Sequence, residues 1–309
     1  MKKKRRCGFL PDFFDRYVEL QVGSTLITLD DLDIEFVVEN DDESKAGQAE
    51  ITVYNLGKSK SAFKKDELVQ LKAGYRSDYG IIFYGKIDKV WDEKDGADVK
   101  TIVQASDLTK QLYQGGYIVK KYPKGTSVID IVKEMFSLAG IPIGKIDDPG
   151  ITLGKDMVFQ GSPKQVLEDC QDLVNGEIMK KCPVKLKDIA EAAIGNRAKL
   201  ALERQSYAIM NCYKHYIGQD GMGYFVKGNF KDQTAIVLDS ESGLMEVQDI
   251  SEEGKTSAYK VRCLLNWKIR QNAIVQINSL NVSGTFKVTK FKHVCRREDY
   301  YTEAEVSPI

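Results

Sequence analysis

From residue 17 to about residue 112 the chain runs in short apolar stretches broken by turn residues, the pattern of consecutive antiparallel strands. Val18, Leu20 and Val22 alternate with Glu19 and Gln21, which turns one face of a strand toward a core. Ile34-Glu35-Phe36-Val37-Val38 predicts a second strand. Beyond the polar residues Asn40, Asp41, Asp42, Glu43 and Ser44, Ala49-Glu50-Ile51-Thr52-Val53-Tyr54 predicts a third. Strands at 68–75 and 81–87 flank a loop at 76–80. Strands at 89–91 and 100–105 flank Lys94-Asp95-Gly96, whose Asp-Gly pair suits the positive φ of a tight turn. So many strands in one stretch point to a small barrel or sandwich over residues 17–115.

After Gly115-Gly116 the period changes. Val128, Ile131, Val132, Met135 and Phe136 share one helical face, and Gly140 and Pro142 end that helix. Ser162-Pro163 opens a second helix, with a serine able to cap and a proline suited to the first turn. Val166, Leu167, Cys170, Leu173 and Val174 follow at helical spacing. Residues 116–177 therefore read as an α+β middle domain whose two helices cover a short sheet. Residues 178–218 read as a helical insert, Ala-, Leu-, Lys- and Glu-rich, broken near Gly195-Asn196. Its end carries Tyr207, Ile209, Met210, Tyr213 and Tyr216, which form either a partner-binding surface or ordinary core packing. From 219 to 309 the strand pattern returns, in Tyr224-Phe225-Val226, residues 235–238, 259–265, 273–277 and 285–291, and predicts a second small β-barrel. The fold class is mainly β, with two small barrels flanking a helix-containing domain.

Charge removes one class of function. Lys and Arg total 45, as do Asp and Glu, so the chain is formally neutral and nothing in its charge points to a polyanion as the main partner. A nucleic-acid-binding barrel, suggested by the basic residues 2–6 and by Tyr75, Tyr79 and Tyr84, is disfavoured for that reason. Residues 1–16 read as a flexible basic arm. Asp12, Asp15 and Arg16 interrupt any signal-like apolar run, and no later stretch is apolar enough to span a membrane. Six scattered cysteines, Cys7, Cys170, Cys182, Cys212, Cys263 and Cys295, form no metal-binding pair and read as free thiols.

The chemistry of an enzyme is equally thin. There are 2 histidines, His215 and His293, and no G-x-S-x-G, Walker or H-E-x-x-H string. His293 and Cys295 stand too close in sequence to resemble the spatially assembled pair of a cysteine peptidase. Residues 92–98 lack the ligand spacing of an EF-hand, and the acidic runs at 30–33 and 40–43 read as polar loops. No catalytic residue, metal or cofactor is expected.

Specific strings carry further than periodicity. Ala49-Glu-Ile-Thr-Val-Tyr-Asn-Leu56, Val69-Gln-Leu-Lys-Ala-Gly-Tyr75, Ile82-Phe-Tyr-Gly-Lys-Ile87, Asp95-Gly96 and residues 101–107 follow one another in an order that resembles phage tail and baseplate hub proteins of the late control protein D type. Tyr259-Lys-Val-Arg-Cys-Leu-Leu-Asn266, Val275-Gln-Ile-Asn-Ser279, Gly284-Thr-Phe-Lys-Val288 and Tyr301-Thr-Glu303 repeat the resemblance at the other end. It implies a structural, non-enzymatic virion protein, made in the bacterial host cytoplasm and assembled into a phage, a bacteriocin or another contractile injection system. The implied assembly is a homotrimer whose paired barrels form a pseudo-sixfold ring, a tail tube adaptor joining the tube protein to the central spike and touching other baseplate components. The insert at 178–218 stands where such proteins carry a short hairpin. The competing class is a peptidoglycan-binding or cell-wall-degrading tail component, with the two middle helices packed on a small sheet.

Overall fold

A computed structural model describes residues 15–40, 46–228, 235–251, 258–271 and 273–308. In chain order the elements are β1 (Arg16–Val22), β2 (Thr25–Thr28), β3 (Ile34–Asn40), β4 (Gln48–Tyr54), β5 (Leu68–Tyr75), β6 (Asp78–Asp95) and β7 (Asp98–Asp107). Then come α1 (Thr109–Gln114), β8 (Ile118–Tyr122), α2 (Val128–Leu138), β9 (Ile143–Ile146), β10 (Met157–Gly161), α3 (Pro163–Lys180), α4 (Leu186–Glu191), α5 (Ile194–Asn211), β11 (Tyr213–Ile217) and β12 (Gly223–Lys227). The last are β13 (Ile236–Leu238), β14 (Leu244–Asp249), β15 (Tyr259–Leu264), β16 (Ile274–Asn278), β17 (Ser283–Cys295) and β18 (Tyr300–Pro308). They form two compact units, Met1–Asp107 with Gln233–Ile309, and Leu108–Asp232.

The discontinuous unit is built on one sheet, ordered β14-β15-β18-β17-β3-β4-β7-β6-β5-β1-β2. The alternation read from the sequence sets its faces: Val18, Leu20 and Val22 are buried, as are Ile34, Phe36 and Val38, and Ala49, Ile51 and Val53. β17 is the junction. Its first residues, 283–287, pair with β16, and its last, 291–295, pair with β3 along the same edge, while β18 covers the other edge. A 13-residue strand has more edge than the five residues of β16 can cover, and β3 takes the remainder. The two ends of the chain, expected as separate barrels at 17–115 and 219–309, therefore share one sheet and one apolar core.

A second tie closes the unit. The Tyr300 hydroxyl accepts the Gly74 amide at 2.8 Å and lies 2.6 Å from the Gly74 carbonyl and 2.9 Å from that of Tyr17. Nearby, the Trp267 indole donates to Asp78 at 2.8 Å and its ring covers Gly80, where a Cβ would stand 2.3 Å from the ring. β5 and β6 meet in a tighter turn than the sequence suggested, since Tyr79 and Gly80 are already paired with Gly74 and Ala73.

The second unit holds α2 against α3, with a β8–β10 ribbon and a β11-β12-β9 sheet. The predicted face of α2, Val128, Ile131, Val132, Met135 and Phe136, is wholly buried, and Gly140 at φ +68° ends the helix. The Ser162 hydroxyl accepts the Gln165 amide at 3.3 Å, capping α3 with Pro163 in its first turn.

Two segments depart from the sequence reading. Residues 213–217, expected as the end of the helical insert, are β11. Tyr-Lys-His-Tyr-Ile suits a strand, and α3 supplies the partners: Asn175 Oδ1 accepts the Tyr213 amide at 2.6 Å and its Nδ2 donates to the Tyr213 carbonyl at 3.0 Å. Gln171 Oε1 accepts the His215 amide at 3.0 Å. Two side chains one helical turn apart thus satisfy the edge of β11 that β12 does not reach. Tyr224, Phe225 and Val226, expected to open the C-terminal barrel at 219, lie in β12 and belong to this middle unit. Gly223 there approaches Phe136 so closely that a Cβ would stand 2.6 Å from the ring.

Candidate interaction surfaces

The groups that most resemble catalytic machinery are committed elsewhere. Thr302 Oγ1 accepts the Asn266 amide at 3.1 Å and stands 2.8 Å from His293 Nδ1. Burial lowers the His293 pKa to about 3, which keeps the ring neutral near pH 7. Cys295 instead faces the Ile34 carbonyl at 3.6 Å, and burial pushes its thiol up to about 12. His215 Nδ1 donates to Gln171 Oε1 at 2.9 Å, and burial lowers this ring to about 4.

The carboxylates of the 92–98 turn face protein partners. Asp92 pairs with Lys60 and Thr101, Asp95 with Lys100 at 2.6 Å, and Asp98 accepts from Asn55 at 2.9 Å. Asp30 holds Arg76 at 2.6 Å and Asp31 caps the Thr28 amide, while residues 41–43 lie outside the described residues. Among the described residues no cluster of His, Cys, Asp and Glu is arranged for a metal, and no helix is long and apolar enough to cross a membrane. Cys170, Cys182, Cys212, Cys263 and Cys295 are free thiols; Cys7 lies outside the described residues.

The aromatic set proposed from the sequence is divided. Tyr207 and Met210 lie at the end of α5, half-buried and exposed. Tyr213 is buried in β11 with its ring 5.5 Å from that of Phe225, and burial raises its pKa. Tyr216 stacks on Tyr224, centroids 5.0 Å apart and planes 8° from parallel. The Ile209 side chain lies outside the described residues.

What the insert does offer is its helices. α4 buries no residue, and no described side chain of α5 is buried. Leu186, Leu202 and Met210 are exposed, and backbone-directed arginines hold the hairpin: Arg204 to Val184 at 2.7 Å, Arg197 to Ala190 and Ala192 at 3.0 and 2.9 Å. Residues 178–211 carry seven bases (Lys180, Lys181, Lys185, Lys187, Arg197, Lys199, Arg204) and three acids (Asp188, Glu191, Glu203), net +4 in a neutral chain.

Sequence patterning missed two further surfaces. The β8–β10 ribbon packs Tyr122 against Phe159 on its inner face and presents Tyr117, Val119 and Val158 to solvent. Interleaved lysines in Ile-Val-Lys-Lys-Tyr hide that second apolar face. At the end of the large sheet, the edge strand β14 and the β16–β17 hairpin tip border a groove of about 560 Å³, with Met245 exposed and Leu280 fully so.

No family model and no curated protein sequence matches the chain. Solved structures do. A tail protein from Neisseria meningitidis superposes with a TM-score of 0.62 at 9% identity, covering 95% of this chain and 97% of the other. The 43 kDa tail protein of prophage MuSo2 from Shewanella oneidensis gives 0.58 at 9%, again over 95% and 97%. An E. coli component of the type VI secretion system, described as similar in structure to the T4 bacteriophage tail proteins gp27 and gp5, gives 0.57 at 7%, over 94% and 76%. The fold is that of phage tail proteins and their secretion-system counterparts.

Proposed function

We propose that this chain is a non-enzymatic tail hub of a phage or phage-tail-like particle, three copies of which form a pseudo-sixfold ring between tail tube and central spike. The observation that carries the reading is the joined sheet: two strand-rich stretches from the two ends of the chain meet at β17 and enclose one core. The same overall fold extends over nearly the whole length of two tail proteins. Two sheet halves per copy give six in a trimer, the arrangement that lets a threefold partner face a sixfold one. The His and Cys side chains with perturbed proton affinities are packed inside as neutral groups, which suits a scaffold better than a reaction centre. Within this reading the basic α4–α5 hairpin is the surface that recognises a partner particular to the particle.

Mass measurement of the purified chain in solution tests the assembly, with a trimer expected near 104 kDa, about three times the 34.8 kDa subunit. A strictly monomeric chain that binds neither tube nor spike protein would sink the proposal. Incubation with purified cell wall checks the enzymatic class: no release of soluble fragments is expected, and sustained release would overturn the non-enzymatic reading.

A further inference from the structure

The α4–α5 hairpin leaves the middle unit after α3 and returns to it at β11, and a cysteine stands at each of these points. Cys182 follows the end of α3 and is fully buried. Cys212 ends α5 and is half-buried. Gln171, Asn175, Ile178 and Cys182 recur at the four- and three-residue intervals that share one helical face. The chain keeps that path to its end, since the Lys181 amide donates to the Ile178 carbonyl at 2.9 Å and the Cys182 amide to that of Met179 at 3.2 Å.

The same face of α3 grips β11. Asn175 holds Tyr213 and Gln171 holds His215, so β11 runs antiparallel to α3 and Cys212 is displaced from Tyr213 toward Cys182. Backbone bonds on both sides fix it there: the Cys212 amide donates to the Ala208 carbonyl at 2.9 Å, and its carbonyl accepts the Gly228 amide at 2.6 Å. Arg204 of α5 adds a tie by donating to the carbonyl of Val184, two residues past Cys182, at 2.7 Å. The two sulfurs sense each other across this junction. Burial raises the Cys212 pKa, the Arg204 guanidinium lowers it, and the Cys182 thiol raises it again.

We propose that Cys182 and Cys212 are a redox pair that closes into a disulfide across the base of the α4–α5 hairpin when the chain meets a small-molecule disulfide. Half-buried Cys212 is the point of entry. Its thiolate attacks one sulfur of oxidised glutathione, which forms a mixed disulfide and releases one glutathione. The Cys182 thiolate then attacks the Cys212 sulfur and displaces the second glutathione. Two protein thiols are oxidised, one glutathione disulfide is reduced, and the two protons pass to the released glutathiones. The bond joins the two ends of a hairpin in which no described side chain of either helix is buried, and so restricts its opening. Nothing in this chemistry depends on the chain being a tail hub.

The test is to incubate the full chain with oxidised glutathione at about pH 8.5, near the ordinary thiol pKa, then denature, alkylate, digest and weigh the peptides. The expected product is a peptide pair joining Cys182 to Cys212, about 2 Da lighter than its two halves. Cys170, Cys263 and Cys295, whose thiols burial pushes up to about 12, should be recovered alkylated. In the native oxidised chain, protease should cut within residues 186–211 at least about fivefold more slowly, and a reducing agent should restore the rate. Cys212→Ser changes a half-buried position, should fold as the parent does, and should be cut at one rate with or without the oxidant. Recovery of Cys182 as a free thiol after full oxidation overturns the proposal, as does Cys212 held as a mixed disulfide with glutathione. Either result would place the two Cα atoms beyond the roughly 7 Å that a disulfide spans. Pairing of Cys212 with any other cysteine overturns it too.

Discussion

The side chains of Asn175 and His293 show how much of this scaffold rests on single polar groups. Asn175 gives both its amide oxygen and its amide nitrogen to one backbone residue, Tyr213, whose side chain is buried. Asn175→Ala leaves that N–H and C=O without partners, at a cost of about 1–3 kcal/mol in unfolding free energy measured by urea denaturation. Asn175→Asp, which still accepts but cannot donate, should fall between. His293 carries a different liability. The folded ring accepts a proton only near pH 3, whereas the unfolded chain does so near 6.5, so unfolding takes up a proton between those values. Stability therefore falls as pH drops below about 6.5, by roughly 2 kcal/mol at pH 5. The His215 ring shifts in the same direction. Carboxylates held below their usual range by partners, Glu19 by Lys72 and Asp92 by Lys60, add their losses only at lower pH. Urea midpoints measured from pH 7.5 to 4.5 should show the early decline, and a His293 ring resonance that titrates above pH 5 would contradict it.

At the scale of elements, the α4–α5 hairpin is the part most open to change. An isolated 18-residue helix is marginal in water, and α5 takes little from burial. Replacing residues 184–211 by a short Gly-Ser linker, with β11 left intact, should move the melting temperature by no more than about 2 °C, since little apolar surface is lost. Under the hub reading proposed above, it should abolish binding to the partner assigned to the hairpin, read by pull-down from an assembling particle. A collapse of the whole fold would show that the hairpin is structural. The helices were legible in the sequence because their own residues specify them: the buried face of α2 and the Ser-Pro start of α3 are local signals. β11 was not, because what makes Tyr213 and His215 a strand is held by Asn175 and Gln171, roughly 40 residues earlier. The exposed faces of β8–β10 and β14 escaped for a related reason. A strand pattern gives the periodicity of its two faces, and only the fold decides whether both are covered.

Over the whole molecule, the strand-rich ends and the helical middle could be read from periodicity, and the tail-protein resemblance from ordered strings. The join between the ends could not, because the pairing of β3 with β17 leaves no mark in either segment. That pairing also fixes an order of events during synthesis. β3 is complete once residue 40 has been made, yet its partner at 291–295 follows roughly 250 residues later, a wait of about 12 to 50 seconds at typical elongation rates. Until then the first seven strands have an open edge and an unfinished core, while residues 108–232 have everything they need to fold as they emerge. A ribosome-bound chain stopped before residue 283 should therefore aggregate or recruit chaperones, and its middle unit should already resist protease.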